Sequence, residues 1–421
     1  MTLRILRDRS TSLSVLAVVL SILAIWSASN AIGRAIVDSR DLFAIWNEAK
    51  NFWARQDPYA LYLNFRLHAG SDPGYAPNYI PSFFVVMAPF FVLGWPIFKA
   101  LFMTLSLGMC AGSVALLRRL FVPGLPPIYA YLLFCLVVAS SPFRETLANG
   151  QLTSFAIFSF LCAWYFQRMR NDFLAVFLLF LALLKFTLTL PLALIFLRGR
   201  ALWIAIVSVV AQIAILIMAA FWLGESPQHL LGEMVRTDMA LLTEGHINYS
   251  NIFRTFGPSG AYFGIVLSEC ISLMAFVVMA LRRSSDELLS LTLLSVVSLL
   301  VAYHSIYDML LFVIPSAYVL RYLHDGNVRT GPWLSKAATF NICLSTALLW
   351  YVLPFVDSFG VSSLGGHRFD GAHIIALWYV LMISVTALMA FLFVLVYRRD
   401  QAPRRAVINA MKTELSAKYG F

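Results

Sequence analysis

Long apolar runs recur along this chain of 421 residues, and they limit its fold more than any other feature. Runs of roughly 20 residues follow one another from residue 12 to residue 397, and this is the length that an α-helix needs to cross a bilayer. Transmembrane β-strands are much shorter and alternate in polarity. The runs therefore predict an all-α fold, that of a polytopic transmembrane helical protein.

The composition and the charge pattern agree with a membrane protein. The chain is 60% hydrophobic and only 12% charged, whereas a soluble domain is roughly half apolar and a quarter charged. Its net charge of +10 does not indicate a nucleic-acid partner, because the Lys and Arg residues form short pairs between apolar runs. The five cysteines lie inside apolar runs without metal-ligand spacing, so we expect buried, unpaired thiols.

The basic clusters predict the topology, since Lys and Arg are enriched in cytoplasmic loops. Arg4, Arg7 and Arg9 precede the first run, residues 12–36, which we interpret as an uncleaved signal anchor that leads outward. If each later arginine pair is also cytoplasmic, the chain makes about 12 crossings with both termini inside. The protein is then predicted to lie in the plasma (inner) membrane.

Two segments of this topology have more than one interpretation. Residues 80–117 either cross once or cross twice, and we favour one crossing because an arginine pair follows them. The segment between the arginine clusters at 168–170 and 198–200 is interpreted as two short helices that fold back at Lys185. A charge at that depth is costly without a partner, so Lys185 is either functional or extends to the interface.

The stretch after the first run contains the acid best placed for chemistry. From Leu42 to Trp53 the apolar residues recur at spacings of three and four, which predicts a helix in the membrane interface. Trp46 and Trp53 would lie at headgroup depth. Asp41 comes at or near the N-terminus of this helix, where backbone N–H groups favour a carboxylate. Asp41 is therefore either a helix cap or a catalytic group.

Sorting the polar residues by predicted side places most of them on the outer face. The cytoplasmic loops are short and basic, whereas the outer segments hold Asp41, Asp57, Arg144, Glu145, Gln151, Arg254, His304 and Asp308. An outer cavity with an apolar floor suits a substrate that has a polar head and a long hydrocarbon tail.

Several of these stretches, taken in order, resemble the GT-C glycosyltransferases and specifically glycosyltransferase family 87. The resemblance covers residues 38–320 and is carried by Arg40-Asp41, Asp57-Pro58-Tyr59, Tyr79-Ile80-Pro81, Asn149-Gly150-Gln151, Lys185-Phe186 and Tyr303 to Asp308. In two places the chain departs from the family pattern: the usual Tyr-Pro-Pro is Tyr79-Ile80-Pro81, and the usual Lys-Pro is Lys185-Phe186.

The resemblance implies a single integral membrane domain over residues 1–421. A GT-C module would occupy residues 1–320, with interfacial helices in an outer loop at 37–80. Further helices would follow over 321–400, and a basic cytoplasmic tail over 401–421.

The resemblance also implies an enzyme. A mannose- or pentose-like sugar would pass from a polyprenyl-phosphate donor to an extracytoplasmic glycan or glycolipid acceptor, with inversion. Asp41 would act as the general base on the acceptor hydroxyl, and His304 is the second catalytic candidate. The leaving phosphate needs cations or oriented donors. The candidates for binding donor phosphate or sugar are Lys185, Arg144, Asn149, Gln151, Arg254, Asp308 and Tyr79.

Three residue-level expectations complete the site. His304 and Asp308 are four residues apart, so they form either a functional pair or a polar pair at a helix end. Asp57 precedes Pro58 and is expected to form a turn. A donor with one phosphate requires no metal or other cofactor, and the scattered acids leave a divalent ion open.

Two other classes of function remain as alternatives. A transporter or flippase of lipid-linked glycans needs buried polar residues through the depth of the membrane, and only Lys185 and Gln212 fit that description. An O-antigen ligase or polymerase would depend on a large later outer loop instead of the first one.

Overall fold

A computed structural model describes the residues 2–37, 39–69, 77, 79–197, 199–242, 249, 253, 256–281, 286–301, 306–325, 333–352 and 383–396. Within these residues the secondary structure is helical and contains no strand, so the all-α prediction is confirmed. Two candidate site residues, Arg254 and His304, and the basic tail at 401–421 lie outside the described residues.

The helices are numbered here in chain order. They are α1 (Thr2–Val37), α2 (Arg40–Trp53), α3 (Pro58–Ala69), α4 (Pro81–Met87), α5 (Trp95–Phe121), α6 (Pro127–Ala139), α7 (Ser141–Asn149), α8 (Thr153–Arg168), α9 (Asp172–Ala182), α10 (Phe186–Ala193), α11 (Arg200–Leu223), α12 (Pro227–Leu242), α13 (Pro258–Leu281), α14 (Glu287–Val301), α15 (Val313–His324), α16 (Trp333–Ala347) and α17 (Ile383–Val396). Short 3₁₀ segments cover Ala88–Leu93, Leu183–Lys185, Leu194–Phe196 and Ile306–Phe312, and a π-helical segment covers Leu348–Val352.

Among the described residues, five helical segments are long and apolar enough to cross a membrane. They are Ser12–Val37, Trp95–Phe121, Asp172–Phe196, Ala201–Leu223 and Ser259–Leu281. The pair α6 and α7, bent by 61°, adds a sixth if it counts as one broken span. These segments support a membrane protein, while the larger number of crossings predicted from the basic clusters stays a prediction.

The two ambiguous segments have different outcomes. In residues 80–117, α5 is the candidate span, and the shorter apolar segment Pro81–Leu93 precedes it, which agrees with one crossing. The predicted fold-back at Lys185 is wrong, because Asp172–Phe196 forms one candidate span interrupted only by a 3₁₀ turn. If this segment crosses the membrane, its two flanking arginine clusters lie on opposite faces, and one of them is then not cytoplasmic.

α2 forms as predicted, but its apolar face packs against protein. Trp46 is only 5% exposed, and its ring centroid lies 4.7 Å from that of Phe98. The ring belongs to an aromatic cluster between α2 and α5, which consists of Trp46, Phe52, Tyr59, Tyr79, Phe83, Phe84 and Phe98. Burying each of these rings contributes about 2 kcal/mol. The cluster holds α2 rigidly on α4 and α5, and its placement in a membrane interface stays a prediction.

The cysteines follow the prediction in part. Cys110, Cys135 and Cys162 are buried, whereas Cys270 and Cys343 are exposed, and all five are free thiols. The expectation of burial is wrong for Cys270 and Cys343 because an apolar stretch of a membrane helix has a lipid-facing side as well as a protein-facing side.

The C-terminal end of α1 is fixed by side chains from two other helices. Arg34 binds Glu145 of α7 through two hydrogen bonds, of 2.6 Å and 3.0 Å. Lys99 of α5 donates from Nζ to the carbonyl oxygens of Ala35 and Ile36, at 3.0 Å and 3.1 Å. These last carbonyls of α1 have no partner within the helix, and the lysine provides one.

Candidate active site

Asp41 lies in the first turn of α2. Ser39 occupies the N-cap position but makes no hydrogen bond through its side chain, so Asp41 is not the cap itself. A carboxylate in the first turn is still stabilised by the partial positive charge of the helix N-terminus. The Asp41 side chain is half-buried and therefore remains accessible to a ligand.

The turn after α7 brings an amide to Asp41. Ser140 caps α7 by accepting a hydrogen bond from the Phe143 amide, and Gly150 ends the helix with a φ of +75°. A Cβ at Gly150 would lie 2.3 Å from the Cβ of Leu42, so only glycine allows this approach between the turn and α2. Gln151 follows directly, and its Nε2 donates to Asp41 Oδ2 at 2.5 Å.

Two tyrosines fix the orientation of the Gln151 amide. The hydroxyl of Tyr79 donates to Gln151 Oε1 at 3.1 Å. The hydroxyl of Tyr59 in turn donates to the backbone carbonyl of Tyr79. With Oε1 turned toward Tyr79, the amide nitrogen is turned toward Asp41. The structure therefore brings Asp41, Gln151 and Tyr79 together, as candidates from three separate parts of the sequence.

Glu48 is a second carboxyl group beside Asp41, and sequence reasoning did not select it. It comes seven residues after Asp41, on the same face of α2. Its side chain is partly accessible, but Oε2 is buried and has no hydrogen-bond partner among the described residues. Burial, and to a smaller extent the charge of Asp41, raises the pKa of Glu48 to about 8. Glu48 is therefore protonated at neutral pH. Its seven-residue spacing from Asp41 was the available signal.

Lys185 and Asp308 form a buried ion pair. Lys185 Nζ lies 2.5 Å from Asp308 Oδ1, and the two side chains are 7% and 3% exposed. Nζ also donates to Thr153 Oγ1 at 2.8 Å, and that hydroxyl donates to Asp308 Oδ1 at 2.8 Å. The ring of Tyr307 lies 4.6 Å from Nζ. Lys185 thus has a partner within the protein and does not extend to the interface. A role of either residue in binding the donor stays a prediction.

Arg144 and Asn149, two further candidates, lie on α7 around Glu145. Arg144 Nη2 donates to Ser141 Oγ at 3.2 Å, while its Nε is buried without a hydrogen-bond partner among the described residues. Asn149 Nδ2 lies 3.5 Å from Glu145 Oε2. The same Nε lies 3.7 Å from Glu145 Oε1, so the Arg144 guanidinium group forms an ion pair with this carboxylate.

Asp57 caps α3, as expected for an acid before a proline. The backbone amide of Tyr59 donates to Asp57 Oδ1 at 2.9 Å, while Oδ2 is buried without a hydrogen-bond partner in the described part of the chain. Burial raises the pKa of Asp57 to about 6; the Tyr59 amide opposes this shift, and the charges of Glu225 and Glu233 add to it. This acid has a structural role at the start of α3.

The described side chains bear on two alternatives, a bound metal ion and a transport path, and the two candidate transport residues have partners within the protein. No group of three or more His, Cys, Asp or Glu side chains in this part of the chain is arranged to hold a metal ion. The two residues that favoured a transporter are both used in packing. Gln212 donates to the carbonyl of Phe180 at 2.8 Å and accepts from Ser82, and Lys185 is paired with Asp308.

The family assignment follows from a comparison with known proteins. The sequence model of glycosyltransferase family 87 matches residues 78–312, which is more than half of the chain. A search of curated proteins and a search of solved structures found no match. The match includes Tyr79, Gln151, Lys185 and Asp308 and begins after Asp41, in a chain whose apolar helices are those of a membrane protein. The chain belongs to glycosyltransferase family 87.

Proposed function

We propose that this membrane glycosyltransferase moves a sugar from a polyprenyl-phosphate donor to a glycan or glycolipid acceptor, with Asp41 as the general base. The hydrogen bond between Gln151 and Asp41 is the observation that carries the proposal. It joins an acid that precedes the family match to an amide within the match.

The chemistry requires a carboxylate in this position. A sugar hydroxyl is a weak nucleophile, and Asp41 takes its proton as the oxygen attacks the anomeric carbon of the donor. The bond from that carbon to the phosphate oxygen breaks at the same time, and the polyprenyl phosphate leaves with the bonding electrons. Attack opposite the leaving group inverts the anomeric centre. Gln151, oriented by Tyr79, fixes the direction from which Asp41 accepts the proton.

The leaving phosphate is proposed to be bound by cationic side chains that donate hydrogen bonds to it. Arg144 is more exposed than Lys185 and lies 3.7 Å from its partner Glu145, whereas Lys185 is buried and lies 2.5 Å from Asp308, so Arg144 is the better placed of the two to bind an anion. Charge-assisted hydrogen bonds to phosphate are among the strongest in proteins. Arg254 and His304 are proposed to complete this set.

Asn149 is proposed to bind sugar hydroxyls. The active site is proposed to lie on the extracytoplasmic face of the plasma membrane, because Arg4, Arg7 and Arg9 precede the first span.

The test is transfer catalysed by the purified protein. Polyprenyl-phosphate mannose and polyprenyl-phosphate arabinofuranose serve as synthetic donors, and octyl mannoside serves as the acceptor. Asp41→Asn keeps the size of the side chain and its ability to accept from Gln151, so the fold is retained. The rate is expected to fall about 100- to 10,000-fold, the usual contribution of a general base.

Asp57→Asn is the matched control, because it neutralises another acid of the same segment. It is expected to turn over at the wild-type rate. An Asp41→Asn variant that also retains wild-type turnover would contradict the proposal.

A further inference from the structure

Glu48 and Asp41 lie two turns apart on one face of α2. Helical side chains lean toward the N-terminus, so the longer Glu48 side chain leans toward Asp41. Ile45 and Phe52, on the same stripe of the helix, are 3% and 2% exposed. The Glu48 carboxyl therefore lies at the packed side of α2, and its position is set by rigid neighbours.

A buried carboxyl without a hydrogen-bond partner weakens the fold. A polar atom that loses water on burial costs free energy unless another group replaces the lost hydrogen bond. Glu48 Oε2 has lost its water and has gained no partner among the described residues. The Glu48 side chain is partly accessible, so rotation of its carboxyl group can bring Oε2 to a ligand that supplies this partner, and the hydrogen bonding of Glu48 is then completed on binding.

We propose that Glu48 is a second substrate-contacting carboxyl, which binds one hydroxyl of the acceptor sugar while Asp41 takes the proton from the hydroxyl that attacks. This inference rests on the proposed function and deepens it. Two turns of helix correspond to about 10 Å along the axis, a separation that one sugar ring with a hydrogen bond of about 2.7 Å at each end can bridge.

The two carboxyls have complementary protonation states. Burial and the nearby charge of Asp41 keep Glu48 protonated at neutral pH, so it both donates and accepts hydrogen bonds, as a sugar hydroxyl requires. α2 packs against α3, α4 and α7, and within the described parts of these four helices Asp41 is the titratable group whose charge acts on Glu48. Ionisation of Glu48 would place a second negative charge beside Asp41 and remove the donor.

The experiment compares Glu48→Gln and Glu48→Leu in the transfer assay with octyl mannoside as the acceptor. Leucine removes both hydrogen-bonding atoms, so the acceptor KM is expected to rise about tenfold or more, while the donor KM changes less than about twofold. Glutamine keeps a neutral donor and acceptor, so Glu48→Gln is expected to resemble wild type at pH 7. Wild-type activity is expected to fall above about pH 8, and Glu48→Gln is expected to lack this fall.

Thermal unfolding without substrate distinguishes binding from structure. Glu48→Leu is expected to unfold at or above the wild-type temperature, because it removes an unsatisfied polar group, and Glu48→Gln is expected to unfold near the wild-type temperature. Lys50→Gln changes an exposed residue of the same helix and is the control for both measurements. A lower unfolding temperature for Glu48→Leu, or an unchanged acceptor KM, would overturn the inference.

Asp41→Asn, measured in parallel, separates the two proposals. If Asp41→Asn is inactive while Glu48→Leu has a normal acceptor KM, only this inference fails. If Asp41→Asn keeps its turnover, the proposed function fails.

Discussion

Two groups of polar side chains meet at the segment between α7 and α8, and they differ in how their charges are balanced. On one side Gln151 donates a hydrogen bond to the half-buried Asp41. On the other side Thr153 joins Lys185 and Asp308 in a closed, buried set of contacts. Only the first group has an acid that remains available to a ligand.

The difference indicates that the Lys185–Asp308 pair positions helices, whereas the group with Asp41 is suited to chemistry. A buried ion pair whose members satisfy each other holds helices in register but has little left to offer a substrate. On α2, by contrast, Glu48 Oε2 is buried and has no hydrogen-bond partner among the described residues. The buried ion pair near the site is therefore not the group assigned to react.

The largest effect on stability is expected when the buried pair is broken. Lys185→Met leaves the charge of Asp308 without its partner, so the free energy of unfolding should fall by about 3–5 kcal/mol in denaturant titrations. Replacing both residues with apolar ones should recover most of the loss.

An exposed ion pair provides the matched control. Arg168 and Glu287 have side chains that are 37% and 26% exposed, so Arg168→Gln should cost less than about 1 kcal/mol. Equal losses for Lys185→Met and Arg168→Gln would show that burial does not strengthen the pair.

The next effect concerns the turn that joins the two groups. Gly150→Ala adds a methyl group against Leu42 at a φ of +75°, which should cost about 1–3 kcal/mol and move Gln151 away from Asp41. Transfer is expected to slow by about 100-fold, because catalytic geometry is sensitive to small displacements.

Gly108→Ala tests whether any added methyl group has this effect. No atom lies within 4 Å of a Cβ at Gly108, so this variant should keep its rate and stability. A normal rate for Gly150→Ala would contradict the role assigned to the turn.

A smaller effect is expected when the amide itself is changed. Gln151→Leu removes the hydrogen bond to Asp41 at nearly constant volume, and kcat should fall about tenfold. Tyr79→Phe keeps that hydrogen bond and loses only the orientation of the amide, so its fall should be about threefold. The measurement is the kcat of each variant. A lower kcat for Tyr79→Phe than for Gln151→Leu would contradict the proposal that Tyr79 acts on Asp41 through Gln151.

The smallest effect is a pH dependence of stability at Asp57. Its pKa is raised from 3.8 to about 6 in the fold, so the folded state binds the proton more tightly than the unfolded chain does. Stability is expected to decrease as the pH rises from about 4 to about 6. Asp57→Asn keeps an oxygen that caps α3 and should be about 1 kcal/mol more stable than wild type at pH 7.5.

At pH 4 the two proteins should unfold at the same temperature. Asp57→Ala also loses the cap and should be less stable than Asp57→Asn at both pH values. An unchanged difference between Asp57→Asn and wild type across this range would contradict the assigned shift.

The sequence predicted features that depend on neighbours along the chain. Apolar spacing located α2 to within two residues of its start, and Asp57 before Pro58 indicated the cap of α3. It did not predict features that depend on distant partners. Lys185 was interpreted as the site of a fold-back because both flanking arginine clusters were assumed to be cytoplasmic, and its pairing with Asp308, which is far away in sequence, was not predicted. Glu48 was not selected because the buried side of α2 is decided by tertiary packing.

The contacts at the end of α1 mean that this helix does more than anchor the protein. Arg34 binds α1 to α7, and Lys99 binds α5 to the last carbonyls of α1. These contacts lie only a few residues before Asp41, so they determine where the chain leaves α1 and at what angle α2 begins. A foreign transmembrane segment of equal length and hydropathy would still retain the protein in the bilayer. It would lack the contacts with α5 and α7, and the position of the Asp41 carboxylate would no longer be fixed relative to those helices.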